Sequence, residues 1–331
     1  MDSTLERAYA GRVTVETMAP DSDLLAVRAA ELYYDENKTQ DEIGAVLGLT
    51  RWKVGRLLTH AREQGIVRIE IVHPRARRGP LERELVERFG LRSAVVVPAE
   101  ADDLQKRVAQ AAADYLTALR PVPRTLGVSW GRTMFDVATA LRDGWAAGVA
   151  VVQVNGGVSL NRRAGTAAAT AAMIAEKAAG HAVLLPSPAI LERIETKRAI
   201  EADRTVAGVL DLAREASAIV YSAGVADESS VLVDSGYLTT DDVAELVRRG
   251  AVGDVVGRYI DADGNTVDPS LDERTVGLSH AQLRAAELAV FVIAGESKHD
   301  VARAVVANGL CTVLVTDEAT AHALLFEGNT P

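Results

Sequence analysis

Four short stretches combine glycine with hydroxyl, amide or charged side chains, and each follows an apolar run. They are Ser129-Trp130-Gly131-Arg132-Thr133, Asn155-Gly156-Gly157, Ser222-Ala223-Gly224 and Ala294-Gly295-Glu296-Ser297-Lys298. Glycine lets the backbone approach a ligand closely, while serine, threonine and the free amides of a helix start donate to an anion. Lys298, one turn into a following helix, adds a point charge suited to phosphate. Any one of these loops has a purely conformational explanation, since glycine commonly turns a strand into a helix. Together at one sheet edge they predict a small polar or phosphorylated ligand. Asp254, in GDVVGRYID, sits at a strand start, where it either accepts hydrogen bonds from sugar hydroxyls or caps a turn.

Other chemistries find less support. Asp261-Ala262-Asp263-Gly264-Asn265 has the look of half a calcium loop but lacks the later glutamate, so a hairpin turn is expected there. The six histidines are scattered and the single cysteine, Cys311, opens an apolar run, so neither a metal site nor any other cofactor is expected. GVSWG carries the letters of a nucleophile elbow, and Asp254 and His280 could be enlisted as its partners. A hydrolase therefore stays open as the lesser reading.

A second group of residues points to a different chemistry. Thr39 to Val67 reads as two short helices around a tight turn. Thr39 and Glu42 form a capping box, Ile43, Val46 and Leu47 recur at helical spacing, and Gly48 stops the first helix. Leu49 is expected to be buried at the turn, and Thr50 caps the second helix. There Val54, Leu57, Leu58 and Ala61 face inward, leaving Arg51, Trp52, Lys53, Arg56, Thr59 and Arg62 outward. This is the arithmetic of a helix-turn-helix whose second helix enters a DNA major groove. Such a face can also be merely solvated. Charge favours DNA, because Thr50 to Pro80 holds eight Lys/Arg against two acids in a chain of net charge −10. Arg51, Trp52, Lys53 and Arg56 are the candidates for the groove, with Thr50 and Thr59 beside them. Arg62 and the arginines at 75, 77 and 78 are candidates for phosphate contacts.

The elements that must position these residues divide the chain of 331 residues into more than one domain. Asp21 opens a helix to about Glu36 and completes a three-helix head. IVRIEIV (66–72) alternates as a half-buried strand does and could form a wing. LERELVERFGL, with Leu81, Leu85, Val86 and Phe89 inward, predicts a short amphipathic helix joining the head to the body or to a partner subunit. From Ser93, apolar runs at 93–98, 125–131, 149–157, 181–186, 218–224, 253–261, 288–295 and 311–317 alternate with helical segments. That alternation specifies an α/β fold, a doubly wound and largely parallel sheet. With 48% apolar but only 4% aromatic residues, its core must be aliphatic. The expected boundaries are a head at 21–75, a linker helix at 76–92 and a ligand-binding domain at 93–328. No run approaches the ~20 apolar residues of a membrane span, and no secretory signal is visible, so a cytoplasmic location is expected.

A helix-turn-helix followed in order by GVSWGRT, NGG, LLPSP, GDVVGRYIDADGN and AGESK resembles the SorC family of bacterial sugar-responsive transcription regulators. The similarity runs from about Asp23 to Leu325. It implies a Rossmann-like effector domain akin to sugar-phosphate isomerases, without retained turnover, and a (winged) helix-turn-helix head. It implies that the G-x-S-x-G-x-T loop, here Gly127, Ser129, Gly131 and Thr133, holds the effector's phosphate or terminal hydroxyls. It further implies that Asp254 contacts sugar hydroxyls and that Lys298 serves the anion. Some relatives with phosphorylated effectors place arginine before the Gly-Gly pair, where this chain has Asn155, and Glu296 stands where a second glycine is common. These departures move the expectation toward a free sugar, polyol or nucleoside, unless Arg132, Arg162 or Arg163 compensates. The expected partners are double-stranded operator DNA, a small carbohydrate-derived effector and further copies of the chain in a dimer or tetramer. The alternative is an isomerase-like enzyme with an accessory DNA head.

Overall fold

The computed structural model describes residues 21–67, 77–98, 103–158 and 167–326. Two compact units are present, Met1–Val72 and His73–Pro331. The expected wing at 66–72, the arginine at 75, and Arg162 and Arg163 lie wholly or largely outside the described residues.

In the first unit, helices α1 (Asp21–Ala30), α2 (Gln40–Leu47) and α3 (Arg51–Glu63) pack around a small aliphatic core. The Thr39 hydroxyl accepts from the Glu42 amide at 3.3 Å while the Glu42 carboxylate accepts from the Thr39 amide at 2.8 Å. This reciprocal cap fixes where α2 begins. Gly48, at φ +68°, ends it in the left-handed conformation. Val54, Leu57, Leu58 and Ala61 are buried as their spacing predicts. Val46 is exposed and Leu49 only half-buried, contrary to expectation. The turn closes instead over Gly44, whose missing Cβ would lie 2.6 Å from the Leu49 carbonyl oxygen. On α1 the close packing comes from Ala26, Ala29 and Ala30, and Leu24 stays in water.

The second unit is built on a seven-stranded parallel sheet. Its strands are β1 (Ser93–Val97), β2 (Thr125–Val128), β3 (Ala150–Gln153), β4 (His181–Val183), β5 (Ala218–Tyr221), β9 (Ala289–Val292) and β10 (Val313–Asp317). They lie in the order β1-β10-β9-β5-β2-β3-β4. Side chains alternate between two cores, one on each face of the sheet: Leu126, Val128, Val220 and Val290 on one, Ile219, Tyr221 and Phe291 on the other. Gly127 belongs to the second face, where a Cβ would sit 2.7 Å from Val154 and 3.2 Å from Ile219. Helix α4 (Gly79–Phe89) packs Leu81, Leu85, Val86 and Phe89 onto β1 and the helix Glu318–Phe326. The segment leading into α4 also covers the free edge of β1. The Arg78 amide donates to the Val96 carbonyl and the Glu82 carboxylate accepts from the Val96 amide, both at 2.9 Å.

One strand assignment needs correction. The run 253–261 does not join the parallel sheet but folds into a hairpin, β7 (Gly253–Val255) and β8 (Arg258–Ile260). Its partner on the other side is β6 (Ala223–Val225), so Ser222-Ala223-Gly224 leads into a strand rather than a helix. The hairpin turns at Val256 and Gly257, both at positive φ. A second turn follows at Asp261–Asn265, as the sequence implies, with Ile260 bridging Thr266.

Candidate functional site

Chain order places the topological switch between β2 and β5: β3 and β4 run outward on one side, β9 and β10 on the other. Open α/β sheets bind ligands beyond the carboxyl ends of the strands at such a point. A cavity of about 370 Å³ lies there, within the range of small-molecule sites. The segments after β2, β5 and β9 line it together with Asn155 and Asp254. Of the residues singled out in the sequence, Ser129, Gly131, Arg132, Thr133, Asn155, Asp254, Gly295 and Lys298 meet around this one space.

Gly127, Gly156 and Gly157 do not. Gly127 is a packing residue inside β2. The Gly156 amide donates to Val276 at 3.0 Å and the Gly157 amide to Ser187 at 2.8 Å. A Cβ on Gly156 would lie 2.2 Å from the Pro188 carbonyl oxygen. The Gly-Gly pair therefore threads between backbone segments and holds Asn155 in place, with no amide left for an anion. The Gly295 amide is likewise engaged, donating to the buried Asp317 carboxylate at 3.0 Å.

Helix α5 (Arg132–Ala140) starts directly at the cavity. Its N-cap, Gly131, adopts φ +123° and supplies no side-chain cap, which leaves the first turn's positive end toward the cavity. Ser129 and Thr133 are buried beside it. The Trp130 indole donates to the Gly156 carbonyl at 3.0 Å and pins the loop between β2 and α5 to the Asn155 loop. Lys298 ends a 3-10 turn, Glu296–Lys298, before the helix His299–Ala307, and its Nζ donates to the Ala223 carbonyl at 3.1 Å. Burial lowers the Lys298 pKa, and the Asp254 charge opposes that shift.

Asp254 performs the turn role considered for it: its Oδ2 accepts from the Gly257 amide at 3.0 Å. It also lines the cavity while only 4% exposed. Burial pushes its carboxyl up to about 6, against the pull of the Gly257 hydrogen bond and the Lys298 charge. Gly224 makes room for it, since a Cβ there would stand 2.1 Å from Oδ1. Of the buried side chains with polar atoms that lack a partner among the described residues, two line the cavity: Asn155, through both atoms of its amide, and Ser222, through its hydroxyl. Ser222, Gln105, Asp136, Asp227 and Ser230, which also line it, are not among the residues expected from the sequence. Only Ser222 stood in a stretch whose pattern could have marked it.

The enlisted nucleophile elbow does not assemble. Ser129 donates to its neighbour's carbonyl at 3.3 Å, and His280 is not among the residues lining the cavity. Burial drives the His280 pKa down to about 4, helped by the Arg258 charge. Among the described residues no cluster of three or more His, Cys, Asp or Glu could hold a metal ion.

In the head, Arg51, Trp52, Lys53, Arg56, Thr59 and Arg62 are all exposed on one side of α3, and the Thr50 hydroxyl caps the helix by accepting from the Lys53 amide at 3.4 Å. Arg51 is 3.4 Å from Asp41 in an exposed ion pair.

A helix-turn-helix followed by a doubly wound domain with a polar cavity at its switch point defines a ligand-responsive transcription regulator. Residues 76–326 match the "Putative sugar-binding domain" family model. The chain is 30% identical over 311 residues to the deoxyribonucleoside regulator of Bacillus subtilis, covering 93% of this chain and 99% of that protein. It is 29% identical over 316 residues to the erythritol catabolism regulatory protein EryD of Brucella abortus, covering 94% and 99%. The crystal structure of the full-length sorbitol operon regulator SorC from Klebsiella pneumoniae superimposes with a TM-score of 0.69 at 27% identity, over 92% of this chain and 99% of that one. The chain belongs to this family of transcription regulators with a sugar-binding domain. It is a sugar-sensing, DNA-binding transcription regulator. No helix among the described residues is long and apolar enough to cross a membrane.

Proposed function

We propose that the cavity at the switch point is the effector site, that it takes one carbohydrate-derived molecule, and that its occupancy sets operator affinity. The unsatisfied carboxamide of Asn155 carries this reading. A buried amide without partners costs about 1–3 kcal/mol, and such a group persists where a ligand completes its hydrogen bonds. A carboxamide offers a donor and an acceptor side by side, which suits adjacent hydroxyls. Ser222, Ser129 and Asp254 extend the polar wall, and Gly131, Arg132, Thr133 and Lys298 form the end that suits a phosphate or a terminal hydroxyl. Three carboxylates line the cavity (Asp136, Asp227, Asp254) against two cations (Arg132, Lys298). That balance favours a free sugar, polyol or nucleoside over a phosphate dianion.

The head reads double-stranded operator DNA through Thr50, Arg51, Trp52, Lys53, Arg56, Thr59 and Arg62. The protein acts in the cytoplasm as a dimer or tetramer on paired half-sites, with no turnover of the effector. The names of the relatives, which concern a deoxyribonucleoside, erythritol and sorbitol, support a polyhydroxylated effector of this size.

The test is a thermal-shift screen of sugars, polyols, nucleosides and their phosphates, followed by titration of each hit against Asn155→Leu. Leucine removes the unpaired polar atoms at similar volume, so the free protein keeps or gains stability. Effector affinity should fall roughly ten- to a hundredfold, the value of one or two lost hydrogen bonds to a buried group. A hit that binds the variant as tightly as the wild type would sink the assignment. Sensitivity to Lys298→Ala and Thr133→Ala, without sensitivity to Asn155→Leu, would move the effector's main contacts to the anion end.

A further inference from the structure

The outward side of α3 is not uniform. A helix advances roughly 100° per residue, so Val54, Leu57, Leu58 and Ala61, all buried, centre on one direction. The diametrically opposite line is held by Trp52, Arg56 and Thr59, with Glu63 at its far end. Arg51, Lys53 and Arg62 stand roughly a quarter turn to either side. A recognition helix lying in a major groove points its outermost line at the base edges and its flanks at the two phosphate ridges, and its N-terminal residues reach deepest. The three flanking positions are all cationic, as phosphate contacts require. The central line begins instead with an uncharged indole.

Trp52 is 86% exposed, more than any other large apolar side chain among the described residues. It occupies the second position of α3, after Arg51. A lone exposed apolar residue is usually unremarkable, but this one sits at the centre of the only face the head turns away from its core on that helix. Tryptophan offers no charge to a phosphate and a single N–H donor. Its ring suits the one apolar feature of the major groove, the thymine C5-methyl group.

We propose that Trp52 is a specificity residue that reads a thymine methyl in each operator half-site, with Arg51, Lys53 and Arg62 holding the flanking phosphates. This rests on the operator-binding reading above. It divides the face into one apolar sequence reader and three sequence-blind cations, with Arg56 and Thr59 left to address neighbouring base edges.

The experiment uses the full-length protein. Selection from a random duplex library defines the bound sequence, and fluorescence anisotropy then measures affinity for that duplex with each thymine replaced in turn by deoxyuridine. Wild type should lose about fourfold in affinity at one thymine per half-site, the worth of one buried methyl group. Trp52→Ala should show no loss at that position, and Trp52→Phe should retain part of it. The salt dependence of Trp52→Ala should match wild type, whereas Lys53→Ala should flatten the slope by about two, one phosphate contact in each of two half-sites. The proposal is overturned if Trp52→Ala keeps full deoxyuridine sensitivity at every thymine. It is also overturned if that variant weakens operator and random duplex equally with a reduced salt slope. A wild type that enriches no sequence would overturn the operator-binding reading itself, and this proposal with it.

Discussion

Replacing Asp254 by asparagine should make the protein more stable at neutral pH and worse at its task. The carboxyl is buried among the cavity walls, and burial raises its pKa to about 6, against a reference near 4 in an unfolded chain. The folded state thus binds the proton more tightly than the unfolded state. Stability from this group falls as pH rises between about 4 and about 6, and above that the ionised carboxylate exacts its full cost. About two pKa units correspond to about 3 kcal/mol. Asparagine keeps an oxygen to accept from the Gly257 amide, the bond that closes the β7–β8 turn, and removes the charge. For a domain of this size, about 3 kcal/mol should raise the melting temperature by roughly 6–12 °C near pH 8. Near pH 4.5 the same substitution should gain only about 1 kcal/mol, because there the native aspartate is already protonated. Thermal unfolding of wild type and Asp254→Asn across this range reads the difference directly. A gain that does not change with pH, or a loss at both ends, would refute the view that Asp254 is held ionised at a cost. Effector affinity measured beside it should fall, since a residue retained against stability is retained for binding.

Three further outcomes follow from the packing. Gly156→Ala should be severely destabilising, more so than Gly127→Ala, because its Cβ would meet the Pro188 backbone oxygen at 2.2 Å whereas that of Gly127 meets a Val154 methyl at 2.7 Å; urea unfolding should separate the two. Arg258 is buried and donates to the carbonyls of Leu278, Asp272, Thr275 and Gly277 and to the Asp272 carboxylate. Arg258→Ala should cost about 3–5 kcal/mol and loosen effector binding, since the segment it holds also bridges Asn155 through Gly277. Cys311 is buried with its thiol pushed up to about 12, so a thiol reagent should modify it only after denaturant is added.

The parallel sheet was legible because strands buried on both faces leave near-continuous Val/Ala/Leu runs, and the head because caps and turn glycines are local signals. The cavity was legible where a strand ends in an exposed backbone, as at Ser129–Thr133 and Gly295–Lys298. What failed was the distinction between a glycine that meets a ligand and one that meets its own chain. Gly127 and Gly156 carry the same letters as Gly131, yet their neighbours come from β5 and from the 187–190 segment, far away in sequence. In the sequence the hairpin β7–β8 looks like one strand because its turn is Val256-Gly257, and a β-branched residue at φ +49° is not a turn signal. Gln105 reaches the cavity only through tertiary folding, while Asp136, one turn along the helix from Arg132, and Asp227, three residues after Gly224, lie just beyond the stretches that the sequence marks. Val46 and Leu24 fit the helical period but face water, while alanines and Gly44 make the close contacts of the head. Period alone does not reveal how near two helices approach.

The central claim is that one molecule in the switch-point cavity controls the grip of the head on DNA. The most direct test is anisotropy of full-length protein on its selected operator, with and without the thermal-shift hit, for wild type and Asn155→Leu. A saturating effector should change wild-type operator affinity by roughly 5- to 150-fold, the usual span of allosteric coupling. In Asn155→Leu that shift should require roughly ten- to a hundredfold more effector while affinity without effector stays unchanged. An operator affinity indifferent to every cavity ligand, or a response that survives Asn155→Leu unaltered, would contradict the account.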